Sequence, residues 1–449
     1  MAFHDGLALR GPVLFPFASL LSVLLLSGCG STAPAIASTP PDYWQEVQLR
    51  YEDHTYSPTV HTVQLFKRGF ELAPPVTFLD DLVPLVLRFD DLGPDIENYS
   101  YTVVHCSADW EPSDIMPGQY LEGAMTDYVP TGRQSYNTLQ PFIHYELEVP
   151  NGNMRITRSG NYLLQVFRDN DPEDLVLTRR FLVGEQALQI DARILASRNV
   201  DLRDIAQQVD LTIRHPGLYV QDPFGDIHVT VLQNMRWDDA RTGFKPRFVR
   251  DDELVYDHPD QGLFMGANEF RNFDLKNLRY ATRNVGRIDP GIGAGVDDAF
   301  ILPETKRNIR VYDNQQDLNG KYLVRNDLVD GDPLGADYVN VHFALPMGDR
   351  SMDDVFVYGG LSDFQCRKEF RMEWSPENSS YMTTLLLKQG FYDFTFVTLP
   401  RGSDVPDLTT IEGSHFQTEN DYLVLVYLTD HSQRYDRLVG VRFLNSVRD

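Results

Sequence analysis

Three constellations in this chain hold residue types that could do chemistry, and each also has a plainer reading. His105 and Cys106, in His105-Cys-Ser-Ala-Asp109-Trp110, are the types of a thiol nucleophile and its base. Adjacent residues on a strand point to opposite faces, so these two side chains cannot share a hydrogen bond. The segment reads instead as a strand end with a buried cysteine and a packed tryptophan. Asp317, Asn319 and Gly320 match part of a calcium loop, but the full spacing and the terminal glutamate are missing, which leaves a tight turn. His54 and His61 lie seven apart across a turn at Pro58, a poor start for a metal site. The chain has no HExxH, GxSxG, phosphate-cradling glycine loop or CxxC. A non-enzymatic protein without a cofactor or metal is therefore expected.

The most unusual segment is Gly266-Ala-Asn-Glu-Phe-Arg-Asn-Phe-Asp274, where polar and charged residues surround two phenylalanines. On a strand, Glu269 and Arg271 would share a face and could pair. Two readings stand side by side. Phe270, Arg271 and Phe273 could be a partner contact, with the rings as anchors and Arg271 as a charge-assisted donor. The same segment could equally be a satisfied polar corner inside the fold.

Cys29 carries a different chemistry. The apolar run from Val13, about 14 residues long, is too short to cross a bilayer but suits a cleaved signal peptide. It ends in Leu26-Ser27-Gly28-Cys29, a lipobox in which the cysteine is acylated and becomes the mature N-terminus. The segment before the run carries Arg10 but also Asp5, a weak positive start. We expect residues 1–28 to be a lipoprotein signal peptide, Cys29 to be the lipid anchor, and residues 29–43, poor in large apolar side chains, to be a tether.

The composition limits the partners. A formal net charge of −25 opposes binding to nucleic acid phosphates and to anionic lipid headgroups. A hydrophobic content of 42% is that of a globular protein. Cys106 and Cys366 read as two separate buried cysteines, although an oxidising compartment would permit pairing.

The elements that must position these residues are strands. Alternating or apolar runs recur at His61–Phe66, Leu85–Phe89, Tyr99–Val104, Tyr162–Phe167 and Leu423–Tyr427, bounded by turn residues. Only Asp201–Gln208 hints at a short helix. The pair Arg158–Phe167 and Leu175–Val183, flanking a polar loop, has the pattern of a terminal hairpin. The expected class is all-β, with tandem immunoglobulin-like or early-set β-sandwich domains after the signal peptide: 44–185, 186–335 and 336–449. In the last, Val355–Phe364 and Tyr381–Phe396 are similar to the early-set sandwich of glycogen-binding modules. The tryptophan expected for sugar stacking is Phe364 here, so a shared fold without the site is the better reading.

Several segments together resemble the type IX secretion system plug protein family. They include Phe89-Asp-Asp-Leu92, Tyr101–Trp110, Gly118–Gly123, His144-Tyr145, Ser159–Tyr162, Gln233-Asn234, Asn268–Asp274, Asp317–Gly320, Leu387–Tyr392 and Arg434–Leu438, in order along the chain. The resemblance implies a periplasmic protein that closes the periplasmic opening of the outer-membrane β-barrel translocon. Combined with Cys29, it implies a lipid-anchored plug on the inner leaflet of the outer membrane. Two other classes remain: a carbohydrate-binding surface or periplasmic lipoprotein, which would show exposed coplanar aromatics in the last domain, and a hydrolase with its site in an interdomain cleft.

Overall fold

Alternation of apolar and polar residues sets one sheet face toward a core, and three such cores organise the chain. The protein is described from a computed structural model, which covers residues 48–293 and 295–448. The expected signal peptide, Cys29, the expected tether and the expected start of the first domain at residue 44 lie outside the described residues. Among those described, helix is confined to short turns, and no helix is long and apolar enough to cross a membrane. The expected all-β class with packed sheets is what the protein has.

The first body is a sandwich. A six-stranded sheet runs in the order His54–Thr55, Leu175–Gly184, Gly160–Arg168, Tyr99–Cys106 and Thr126–Tyr128, with Val76–Phe78 added parallel to Leu175–Gly184. It faces a four-stranded sheet of Val60–Lys67, Leu85–Asp91, Ile143–Val149 and Arg133–Gln134. Phe89, Tyr99, Tyr101, Tyr145, Tyr162 and Phe181 fill the space between them. The expected terminal hairpin is present, with Gly160 opposite Val183 and Tyr162 opposite Phe181.

The second body pairs strands that are remote in sequence. A five-stranded sheet built on Gln189–Ala196 and Ala206–Arg214 packs against a three-stranded sheet of Ile227–Gln233, Asp421–Asp430 and Tyr435–Asn445. The C-terminal hairpin thus completes a sandwich begun more than two hundred residues earlier. Where a short helix was expected at Asp201–Gln208, only a 3-10 turn, Val200–Leu202, forms before the strand begins at Ala206. The strand wins because Val209, Leu211 and Ile213 are buried in this core and Ala206 is buried as well, and burial outweighs weak local preference.

The third body is a nine-stranded sheet around a core of Phe273, Phe343, Tyr392, Phe394 and Phe396 among others. Its strands come from both sides of the boundary expected at 335/336. Arg271–Asp274 and Tyr322–Val324 both pair with Gly390–Leu399, and Asp298–Ile301 pairs parallel with Tyr338–Pro346. The three bodies belong to one compact unit. Between the first and second lies a further apolar cluster that includes Cys106, Trp110, Leu163, Leu232, Leu425 and Tyr427.

Candidate functional site

The junction between the bodies concentrates the buried charge. Asp90, on the Leu85–Asp91 strand of the first body, is 1% exposed. It accepts hydrogen bonds from Lys388 Nζ at 2.5 Å and Tyr338 OH at 2.7 Å, both from the third body, and contacts His144 Nδ1 at 2.6 Å. Burial alone would raise the Asp90 carboxyl, but Lys388 and His144 outweigh it and hold the group below the usual carboxylate range. Burial lowers the Lys388 ammonium, with Asp90 opposing the shift. The Lys388 charge also sits 3.9 Å from the Phe142 ring centroid. These groups clamp the first body to the third.

A cleft of about 310 Å³ opens at the same junction, walled by Phe66, Pro74, Trp237, Tyr322 and Phe364. Convergent carboxylates here would favour a hydrolase, and Asp53, Asp238 and Asp363 do line it. Each is already engaged. Asp53 accepts from Arg180 N at 2.6 Å, Asp238 pairs with Arg236 at 2.7 Å and accepts from Tyr358 OH at 2.8 Å, and Asp363 pairs with Arg179 at 3.4 Å and Arg367 at 3.2 Å. Arg180 stacks on Trp110 at 4.3 Å, closing the wall toward the second body. The chemistry shown is mutual charge satisfaction.

His105 and Cys106 point apart, as alternation requires. His105 Nδ1 lies 2.6 Å from Ser113 Oγ and its Nε2 lies 3.0 Å from the Ser159 carbonyl, while Cys106 joins the apolar cluster on the other side. Burial pushes the His105 imidazole down to about 4, against the Ser159 carbonyl bond, so the ring is neutral near pH 7. The histidine and serine sit together, but Nε2 meets a carbonyl rather than an acid, so the pair acts as a structural clasp. Gly160 has φ +142°, and a Cβ there would meet His105 Nε2 at 2.3 Å; the clasp therefore requires glycine. His54 and His61 pack against different tyrosines, Tyr56 and Tyr338. Cys106 and Cys366 are both free thiols.

Phe270, Arg271 and Phe273 are 4%, 2% and 0% exposed, so their side chains lie inside the fold. Glu269 and Arg271 do not pair. Glu269 precedes the strand, which begins at Arg271 after a left-handed Ala267 (φ 54°), so the alternation that would align them does not hold. Glu269 instead accepts from Tyr312 OH at 2.5 Å and from Glu419 N. Arg271 is taken up by Glu412, Glu304 and the Thr305 carbonyl. Glu412 also receives Arg307 at 2.7 Å. Burial alone would raise the Glu412 carboxyl, but the two arginines hold it below its ordinary value. This is the satisfied polar corner, with partners far away in sequence that strand spacing could not reveal.

The aromatic residues of the third body are also turned inward: Tyr381, Tyr392, Phe394 and Phe396 are all 5% exposed or less. Its large exposed apolar residues include Met352, Met382 and Val405, which offer no ring for a pyranose face, and Tyr280, which is 62% exposed. The remaining candidates for recognition are surface segments. Tyr219, Phe224, Phe248 and Val249 are all exposed on the second body, and Phe248–Arg250 is an edge strand of its five-stranded sheet.

Comparisons with known proteins follow the same outline. No curated protein matches the chain. A crystal structure of a hypothetical protein from Parabacteroides merdae ATCC 43184 is similar over 89% of this chain and 100% of its own, with 28% sequence identity and a TM-score of 0.85. The model of the type 9 secretion system plug protein 1st domain matches residues 60–185. That span holds most of the first sandwich, including Asp90, the His105 clasp and the terminal hairpin. Residues 60–185 of this chain belong to the family of type 9 secretion system plug protein first domains.

Proposed function

We propose that this protein is a periplasmic plug that closes the periplasmic opening of the type IX secretion outer-membrane β-barrel translocon, acting by occlusion and not by catalysis. The observation that carries this reading is the family match over the first sandwich. A plug must bear on a wide pore without deforming, and the buried clamps among the three bodies suit that task. Asp90 with Lys388 and Arg179 with Asp363 join the first body to the third, and Arg236 and Asp238 of the second body both bond Tyr358 OH of the third, so loosening would strand charges away from water. The engagement of every carboxylate named in the junction cleft is in keeping with a non-enzymatic role. In this reading the protein is tethered through a lipid on Cys29, on the inner leaflet of the outer membrane.

Deletion of the gene tests the proposal. Loss of the protein should admit large antibiotics that the outer membrane normally excludes, and removal of the translocon as well should largely restore exclusion. Equal permeability in the single and double deletions would refute plugging.

A further inference from the structure

Two buried acceptor atoms in the third body face no donor. Asp393, wholly buried on the Gly390–Leu399 strand, uses one of its carboxylate oxygens fully. Its Oδ2 accepts from the backbone N–H of Leu318 at 2.5 Å and of Gly320 at 3.1 Å. Its Oδ1 has no hydrogen-bond partner. Asn319 stands between those two donors, is 8% exposed, and leaves its own side-chain Oδ1 without a partner. Native interiors satisfy nearly all such atoms, so two orphans in one turn call for an explanation. With Asp393 ionised, both atoms are acceptors and cannot satisfy each other.

The surroundings specify what is missing. The Asp317 carboxylate accepts from Asn319 N at 2.9 Å and Phe270 N at 2.5 Å, which closes the Asp317–Gly320 turn around Asp393. Glu269 and Glu419 act on Asp317 as like charges, and Asp317 acts in the same way on Asp393. The turn is an acidic, oxygen-lined place short of positive charge.

We propose that Asp317, Asn319 and Asp393 form a binding site for a hard divalent cation of the calcium type, with Asn319 Oδ1 and Asp393 Oδ1 among its oxygen ligands. Among the described residues no three His, Cys, Asp or Glu side chains are placed to hold a metal. The set here is two carboxylates and one amide oxygen, with waters completing the shell. Carboxylate and amide oxygens two residues apart in an Asp-x-Asn-Gly turn are suited to such an ion. The turn ends the irregular stretch 302–318, whose Ile309 and Val311 are each 91% exposed. A bound cation would therefore fasten that stretch to the core strand carrying Asp393. The inference does not depend on the plug reading.

The test uses the purified full chain stripped with EDTA and then melted with and without 1 mM calcium chloride at pH 7.5, with terbium luminescence as a second readout. Calcium should raise the melting temperature by about 3 °C or more. Asp393→Asn should abolish both the shift and the terbium signal. Asn319→Asp, which adds a charge at a left-handed position that aspartate tolerates, should lower the calcium concentration at half-saturation. A wild-type chain indifferent to calcium and dark with terbium would overturn the site. So would a calcium response that survives unchanged in both variants. Asp393→Asn raising the melting temperature in EDTA, while the wild type ignores calcium, would likewise overturn it and assign a proton to the orphan oxygens.

Discussion

Arg271 and Glu412, 141 residues apart, meet in a two-point buried ion pair, Nε to Oε1 at 2.9 Å and Nη2 to Oε2 at 3.0 Å. Glu412 is also held by Arg307, and its Oε1 accepts from Phe396 N at 3.1 Å. Glu412 thereby ties Phe396 of the Gly390–Leu399 strand to Arg271 in the Asn268–Asp274 segment.

Truncation of this pair should be felt as stability. Arg271→Ala should lower folding stability by about 3 kcal/mol or more, because it deprives a carboxylate with 1% exposure of its two-point partner. Thermal and urea melts of the purified chain measure it. A negligible shift together with lost partner binding would instead return Arg271 to the role of a contact residue.

The clamp between the first and third bodies should behave as a coupled unit. Lys388→Met leaves Asp90 buried with only His144 and Tyr338 beside it, at a cost of about 3–5 kcal/mol. Asp90→Asn and Lys388→Met combined should cost clearly less than the sum of the two single changes. Strict additivity in that double-mutant cycle would mean that the pair does not join the bodies energetically.

His105 should give the protein an acid limb. Its folded value, near 4, lies below the ordinary 6.5 because the ring is buried. Between those values the unfolded chain binds a proton that the folded chain refuses. Its contribution is complete above pH 6.5 and is lost as the pH falls toward 4, by an amount on the order of 3 kcal/mol. Melting temperature measured across pH 4–7 should fall through this window, and His105→Asn should flatten that slope while weakening the clasp at pH 7. An unchanged slope in the variant would assign the acid limb to other groups.

The anchor is tested chemically. Growth with a palmitate analogue should label the wild-type protein, and Cys29→Ser should remove the label and leave the chain unprocessed or soluble. Labelling that persists in the variant would dismiss Cys29 as the acylated residue.

The strands were legible because their alternation is local. Tyr99–Cys106, Gly160–Arg168 and Leu175–Gly184 fall where apolar runs and turn residues place them, and the last two form the expected hairpin. The pairing of Ile227–Gln233 with Asp421–Asp430 was not legible. Val424 and Val231 are apolar strand residues like many others, and nothing in either marks the other as its neighbour. For the same reason the segment Asn268–Asp274 stood out as unusual while the destination of its arginine stayed hidden. Glu412 sits in a short turn, Thr409–Glu412, that looks like ordinary surface until the fold buries it. The partly calcium-like spacing at Asp317–Gly320 was visible, but Asp393, which turns it into a candidate site, comes from a strand 73 residues on.

The central claim is association with a secretion barrel, and affinity purification of the tagged full chain from native membranes, followed by mass spectrometry, tests it most directly. The account predicts co-purification of a large outer-membrane β-barrel of the type IX system, recovered in near-stoichiometric amount with the tagged chain. Recovery of the chain without that barrel, from membranes that contain it, would contradict the account.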